Sequence, residues 1–133
     1  MENRCVWCNK SSENLIETEL RLKSGSKTVY VCNNDCKNNT QKFIDFAINY
    51  GSYMLVGTII SLVIGLLVLL YNEALGFLIV FAGNGLNFII FPFTRKHTAK
   101  IFGIKNSIIA ARITGVIMII CGIITAVAIW YFG

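Results

Sequence analysis

The chain has 133 residues, of which 55% are hydrophobic and only 14% are charged, and its formal net charge is +5 at pH 7. So apolar a composition excludes an ordinary soluble domain and predicts a protein that needs a lipid environment. Polarity is also uneven, because residues 1–50 hold six of the seven acidic groups while long apolar tracts fill most of residues 51–133. We therefore predict two parts, an N-terminal module over residues 1–50 and a transmembrane domain over residues 51–133.

Four cysteines of the N-terminal module form two close pairs. Cys5 and Cys8 are separated by two residues, Cys32 and Cys36 by three, and 23 residues lie between the pairs. Four thiolates arranged this way can surround a Zn²⁺ ion tetrahedrally at about 2.3 Å, which leaves no open coordination position. Two disulfides, iron in the same sulfur cage and chance clustering are the alternatives. The spacing favours a structural zinc site.

Between the two pairs the sequence indicates a β-hairpin. Leucines alternate with charged residues up to Leu22, a Ser-Gly-Ser turn follows at residues 24–26, and residues 28–31 return as a second strand. After Cys32, apolar residues at helical spacing predict a helix that starts near Asp35 and carries Cys36 on its first turn.

This order of elements over residues 4–46 resembles the treble-clef zinc fingers of the TRASH and FCS type. The matching positions are Cys5, Cys8, Tyr30, Val31, Cys32, Cys36 and Phe43. The resemblance implies zinc binding by the four cysteines, and a role in metal handling or protein contact. Residues 51–133 carry no such resemblance.

Three apolar tracts are long enough to span a bilayer, whose core of about 30 Å needs roughly 20 helical residues. They cover residues 52–71, 74–93 and 108–132. The predicted fold class is a mainly α membrane protein. A small α+β treble-clef-like zinc module, made of a β-hairpin and a helix, precedes three transmembrane helices.

Basic residues gather in the connection between the second and third tracts. They are Arg95, Lys96, Lys100 and Lys105, and Arg112 follows one turn into the third tract. The positive-inside rule places this connection in the cytoplasm, which puts the N-terminus in the cytoplasm and the C-terminus outside. Thiols stay reduced there, which disfavours disulfides. We expect the same basic residues to meet anionic lipid head groups.

Small residues recur at helical spacing in the first and third tracts, and two amides lie in the second. The small residues are Gly57, Ser61, Gly65, Ala111, Gly115, Gly122 and Ala126. They indicate close approach of helices, either within one chain or in a homo-oligomer. Asn84 and Asn87 need partners in hydrocarbon, so they predict interhelical hydrogen bonds, with the lining of a solute path as the alternative.

The pattern of polar residues points away from catalysis and from nucleic acid. There is no Ser-His-Asp set, no carboxylate pair inside a tract and no phosphate-binding glycine loop. Residues 1–50 balance seven basic against six acidic residues, whereas phosphate contacts need clustered cations. The sequence favours a membrane-anchored cytoplasmic zinc-binding module that acts in protein interaction or in regulating a membrane complex. The alternative is an oligomeric transporter or channel component, with metal as a candidate solute and the cysteine module as its sensor.

Overall fold

The computed structural model describes residues 4–11, 14–22, 25–92 and 101–132. In chain order its elements are the strands β1 (Ile16–Leu22) and β2 (Gly25–Val31) and the helices α1 (Asn34–Leu69), α2 (Glu73–Ile90) and α3 (Ile104–Phe132). The predicted fold class is confirmed, because an N-terminal β-hairpin with a four-cysteine cluster precedes three long apolar helices.

Contacts divide the chain into two compact units. The first combines Met1–Gly51 with Phe93–Ile109, and the second combines Ser52–Pro92 with Ala110–Gly133. The boundary between residues 50 and 51 stays a prediction. The first unit also takes in a described stretch, residues 101–109, that follows the second apolar helix.

The hairpin of the first unit is antiparallel, with its register running from Ile16 opposite Val31 to Leu22 opposite Gly25. This register places Gly25 and Ser26, two residues of the predicted turn, in β2, and the third, Ser24, lies outside the described residues. Gly25 has a φ of +133°, which a residue with a side chain rarely adopts. The hairpin contributes the buried side chains of Leu20 and Val31 to this unit.

One side of β1 is covered by Gln41 of helix α1. The backbone N–H of Arg21 donates to Gln41 Oε1 at 3.2 Å, and Gln41 Nε2 donates to the Arg21 carbonyl at 3.4 Å. Nε2 also donates to Asp45 Oδ1, one helical turn further on, at 2.8 Å. Because the N–H and C=O of one strand residue point to the same side, a single amide takes the place of a partner strand here.

Helix α1 begins at the second cysteine pair. Asn33 Oδ1 accepts a hydrogen bond from the Cys36 N–H at 2.9 Å, which caps the helix. The hydroxyl of Thr40, which has no solvent exposure, donates to the Cys36 carbonyl at 2.7 Å. The helix then continues unbroken through Gly51 to Leu69, so the helix that carries Cys36 and the first apolar tract are one element of 36 residues.

In the second unit, small residues bring α1 and α2 together. A Cβ added at Gly57 would lie 3.1 Å from the Asn87 amide oxygen, and one added at Gly83 would overlap the Ser61 hydroxyl. Further along α1, a Cβ at Gly65 would overlap a side chain of α2. Residue numbers rise on one helix as they fall on the other, so the two helices are antiparallel.

Helices α2 and α3 also approach closely, here backbone to backbone. A Cβ on Gly85 would lie 2.6 Å from the Gly115 carbonyl oxygen, and one on Gly115 would lie 2.5 Å from the Gly85 carbonyl oxygen. One on Gly122 would lie 2.7 Å from Phe81 Cβ. The order of these contacts is again antiparallel, which gives the three helices of this unit an up-down-up arrangement.

The two asparagines of α2 differ in what they bond. Asn87 Nδ2 donates to the Met54 carbonyl and to Thr58 Oγ1 of α1, both at 2.9 Å. Asn84 Nδ2 donates at 2.8 Å to a carbonyl one turn back in its own helix, and at 3.4 Å to Ser61 Oγ of α1. Asn87 is therefore the stronger polar link between the two helices.

This difference predicts unequal costs for two matched substitutions. We expect Asn87→Leu to lower the free energy of unfolding by about 1 kcal/mol, as measured hydrogen bonds between membrane helices do. Asn84→Leu should cost less, because its shortest bond lies within one helix. Titration of purified protein in mixed micelles with a denaturing detergent measures both, and equal losses would contradict the assignment of Asn87 as the main link.

Candidate metal centre

The first cysteine pair lies on a tight loop, residues 4–11, which we call the knuckle. Its first and last residues pair as an antiparallel bridge, and the Asn9 N–H donates to the Cys5 carbonyl at 2.8 Å. Asn9 has a φ of +60°, which asparagine tolerates better than most residues do. The loop closes tightly enough to bring Cys5 and Cys8 to the same place.

The second pair sits where the hairpin meets the helix. Cys32 directly follows β2, and Cys36 lies on the first turn of α1. The Val6 N–H of the knuckle donates to the Tyr30 carbonyl of β2 at 2.9 Å. This bond fixes the knuckle beside the junction, so that the two cysteine pairs face each other.

All four Sγ atoms of Cys5, Cys8, Cys32 and Cys36 lie within 4.8 Å of one another. Cys8 Sγ and Cys32 Sγ, which belong to different pairs, lie 3.4 Å apart. Metal–sulfur bonds of 2.3 Å in a tetrahedron require sulfur atoms about 3.8 Å apart. The cluster therefore has the size of a tetrahedral four-sulfur site and can hold a metal ion.

Burial of the four cysteines is uneven. Cys5 is only 1% exposed, and the other three are half-buried. Cys121, the fifth cysteine, lies exposed on α3 and takes no part in the cluster. Among the described residues, these four cysteines are the one group of side chains that meets the geometry of a metal site.

Burial and neighbouring sulfur atoms separate the pKa values of the thiols. Burial, followed by hydrogen bonds with the Cys5 and Cys8 side chains, raises the pKa of Cys32 to about 12. Burial also acts to raise the pKa of Cys5, but hydrogen bonds from the Cys8 backbone and the Cys32 side chain help lower it to about 7. Cys5 thus ionises before Cys32, which keeps its proton until a cation compensates the charge.

These values predict that metal affinity depends steeply on pH. Zn²⁺ must displace the protons of Cys32 and Cys36, whose pKa burial likewise raises to about 11, throughout the neutral range, and below pH 7 that of Cys5 as well. Protons and metal compete, so the affinity should fall as pH falls, by at least about 100-fold per pH unit near pH 8 and at least about 1000-fold per pH unit below pH 6. Competition with a chromophoric chelator measures it, and an affinity unchanged from pH 8 to pH 6 would contradict this chemistry.

The knuckle also contacts the start of helix α3. The Ile104 N–H donates to the Val6 carbonyl at 3.1 Å, and the Lys105 N–H donates to the Trp7 carbonyl at 3.0 Å. Both carbonyls belong to the two residues between Cys5 and Cys8. The backbone of the knuckle is thus bonded to backbone almost a hundred residues later in the chain.

Two further contacts close this junction. Asn9 Nδ2 donates to the Ile101 carbonyl at 2.6 Å. Gly103 is buried with a φ of +79°, and a Cβ added there would lie 2.8 Å from the Trp7 carbonyl oxygen. Ser107, one turn into α3, is 1% exposed. The knuckle therefore sits directly on the residues that start α3.

The basic residues predicted to meet lipid are only partly described. Arg95, Lys96 and Lys100 lie outside the described residues. Lys105 and Arg112 are exposed near the start of α3, as a head-group contact requires.

Most of the predicted packing residues contact a neighbouring helix of the same chain. Gly57, Ser61 and Gly65 face α2 from α1, and Gly115 and Gly122 face α2 from α3. Ala126 lines a shallow groove with Asn72 and Trp130, while Ala111 is half-buried. One chain already uses five of these positions for packing between its own helices. This answers in part whether the small residues serve packing in one chain or a homo-oligomer.

Sequence reasoning missed the residues that support the cluster through backbone bonds. Asn33, three residues before Cys36, has the spacing of a helix cap and could have been found from that pattern. Gln41 and Gly103 carry no such signal, because an isolated amide or glycine fits many surroundings.

The structure shows the knuckle, hairpin and helix in the order that the resemblance to treble-clef fingers implies. Comparison of the chain with protein-family models, with curated proteins and with solved structures found no match.

Proposed function

We propose that this chain is an integral membrane protein whose N-terminal module binds one structural Zn²⁺ ion, and that the module acts in protein interaction or in regulating a membrane complex. The observation that carries the proposal is the cluster of four sulfur atoms within 4.8 Å of one another. A site whose four positions are all filled by protein sulfur has no place for a substrate, which favours a structural ion over a catalytic one.

Zinc is the ion that best fits this donor set. Four thiolates in a tetrahedron suit Zn²⁺. A small module of this kind buries too little apolar surface to fold stably without a metal ion or a disulfide. Its described buried side chains are few, with Cys5, Leu20, Val31 and Thr40 among them. A structural zinc site supplies folding free energy directly, so the ion would provide the stability that a larger hydrophobic core provides in bigger domains.

The exposed apolar surfaces of the helices support the proposal that they lie in a membrane. Each of α1, α2 and α3 is long and apolar enough to cross a bilayer, yet only 11% of the most apolar stretch of α1 and of α3 is buried inside the chain. Exposed apolar surface of that extent is unfavourable in water and favourable in lipid. Lipid is therefore the partner that this surface fits.

The two ends of the helical unit differ in chemistry. Tyr71, Trp130 and Tyr131 are exposed at the end where α1 meets α2 and α3 finishes, and Trp130 shares a groove with Asn72 there. Arg112 lies near the opposite end of α3. Aromatic residues favour membrane interfaces, and basic residues favour the cytoplasmic side. This supports an orientation with the N-terminus in the cytoplasm and the C-terminus outside.

A transporter or channel component has less support. The amide of Asn87 donates both of its hydrogen bonds to α1 of the same chain, and Asn84 donates to its own helix and to α1. Amides that are paired in this way are not aimed at a solute path, and they favour helix packing.

Metal content and labelling together test the proposal. Elemental analysis of protein purified in detergent should find about one zinc per chain, as a closed four-thiolate site requires. Glu73→Cys, made on a Cys121→Ser background, should react with a membrane-impermeant maleimide from outside intact cells. Iron in place of zinc, no metal, or labelling only from the cytoplasmic side would each overturn the corresponding part.

A further inference from the structure

Within the described part of the chain, no side chain caps the start of helix α3, although most helices have such a cap. The first N–H groups of a helix have no partner within it, and a Ser, Thr, Asp or Asn side chain usually accepts from them. Here the residue before the helix is Gly103, which has no side chain. The Ile104 and Lys105 N–H groups bond instead to the carbonyls of Val6 and Trp7.

Those two carbonyls belong to the residues enclosed by the first cysteine pair. When Cys5 and Cys8 bind one ion, the peptide groups of Val6 and Trp7 between them are held in a fixed loop. The described hydrogen bonds of the knuckle mostly join residues that are exposed or half-buried. Such bonds open readily, so without the ion they hold the loop only weakly. The position of the two acceptors therefore depends on the metal.

Gly103 shows that the contact is specific. Its φ of +79° favours glycine, and independently a Cβ there would approach the Trp7 carbonyl oxygen and the Asn9 nitrogen to 2.8 and 3.0 Å. The bond from Asn9 Nδ2 to the Ile101 carbonyl, at 2.6 Å, adds a contact on the other side of Gly103. Three separate features thus match residues 101–105 to the knuckle.

We propose that the knuckle is the N-terminal cap of α3, and that metal binding by the four cysteines orders residues 101–107. The inference rests on the proposed metal site and assigns it a second role beyond holding its own module together. Ile101, Phe102 and Lys105, which are exposed on this segment, would keep their positions only while the metal is bound. Coupling of this kind is reciprocal, so the contact must in turn strengthen metal binding.

Hydrogen exchange of single amides tests the cap directly. The N–H groups of Ile104 and Lys105 have no acceptor inside α3, so their protection reports the knuckle carbonyls alone. In full-length protein in detergent, we expect both amides to exchange about 10-fold faster after a chelator removes zinc, while amides in the middle of α3 keep their rates.

Two variants separate the cap from the metal site. Gly103→Ala should speed exchange of the Ile104 and Lys105 amides while about one zinc per chain remains bound. By reciprocity it should weaken zinc affinity about 10-fold. Gly51→Ala is the matched control, because a Cβ at Gly51 meets nothing within 4 Å. Asn9→Gly keeps the positive φ of the knuckle and removes only the bond to Ile101, so it should act in the same direction with a smaller effect.

The outcomes distinguish this inference from the proposed function. Zinc bound at about one per chain, with equal exchange at Ile104 and Lys105 before and after chelation, overturns the cap and leaves the zinc site standing. Absence of bound metal overturns the zinc site and with it the metal dependence. If Gly103→Ala fails to fold, the wild-type comparison and Asn9→Gly still decide the matter.

Discussion

Cys32→Ser is expected to release the metal and unfold residues 4–36 while the three apolar helices remain inserted. Cys32 lies at the junction of β2 and α1, and its Sγ lies 3.4 Å from the Sγ of Cys8 in the knuckle. A structural zinc site supplies roughly 10–16 kcal/mol of apparent binding free energy in peptide models, and three remaining thiolates cannot close the tetrahedron. Zinc content, limited proteolysis and circular dichroism in detergent measure the three parts of this expectation.

Cys121→Ser is the matched control for that substitution. It makes the same chemical change at a cysteine that is exposed on α3 and outside the cluster, so zinc content and protease resistance should match those of the wild-type protein. Zinc retained at one per chain by Cys32→Ser, or a module that stays protease-resistant in a chelator, would overturn the structural role of the metal.

Gly85→Val is expected to separate α2 from α3. Even a Cβ at this position would lie 2.6 Å from the Gly115 carbonyl oxygen and 2.7 Å from Ile119 Cγ1, and a backbone oxygen cannot rotate out of the way as a side chain can. Overpacking typically costs about 1–3 kcal/mol, and we expect a loss near the top of that range or above it. Unfolding titrations in mixed micelles measure the loss.

Gly51→Val controls for the change of residue type, because its added Cβ has open space and it also lies in a helix. We expect its unfolding midpoint to stay near that of the wild-type protein. If Gly85→Val were equally harmless, the close approach of the two helices at Gly85 and Gly115 would be wrong.

The sequence predicted the cluster because cysteine spacing is a strong signal. The four residues need only come together at one point, and the hairpin between them provides the reversal that does this. The three apolar helices were predicted for a similar reason, since length and apolarity alone decide whether a tract can span a bilayer. Both signals rest on residue type rather than on tertiary detail.

The start of α3 was harder to place. The apolar tract begins at residue 108, but an apolar tract does not say where its helix starts, and α3 begins earlier, at Ile104, with Ser107 buried in its first turn. A serine before an apolar run is typical of a helix cap, but here backbone carbonyls of the knuckle replace it. Hydrogen bonds between peptide groups distant in sequence leave no mark on residue types, so no pattern could have indicated them.

The contact between Asn9 and Ile101 also sets an order of events during synthesis. These residues are 92 positions apart, so at roughly 5–20 residues per second the later one emerges about 5–20 s after the earlier. The cysteines, hairpin and first turns of α1 are complete well before that time. A nascent chain that binds the proposed ion can therefore do so first, and residues 101–105 then complete the first compact unit after the apolar segments of α1 and α2 have been made.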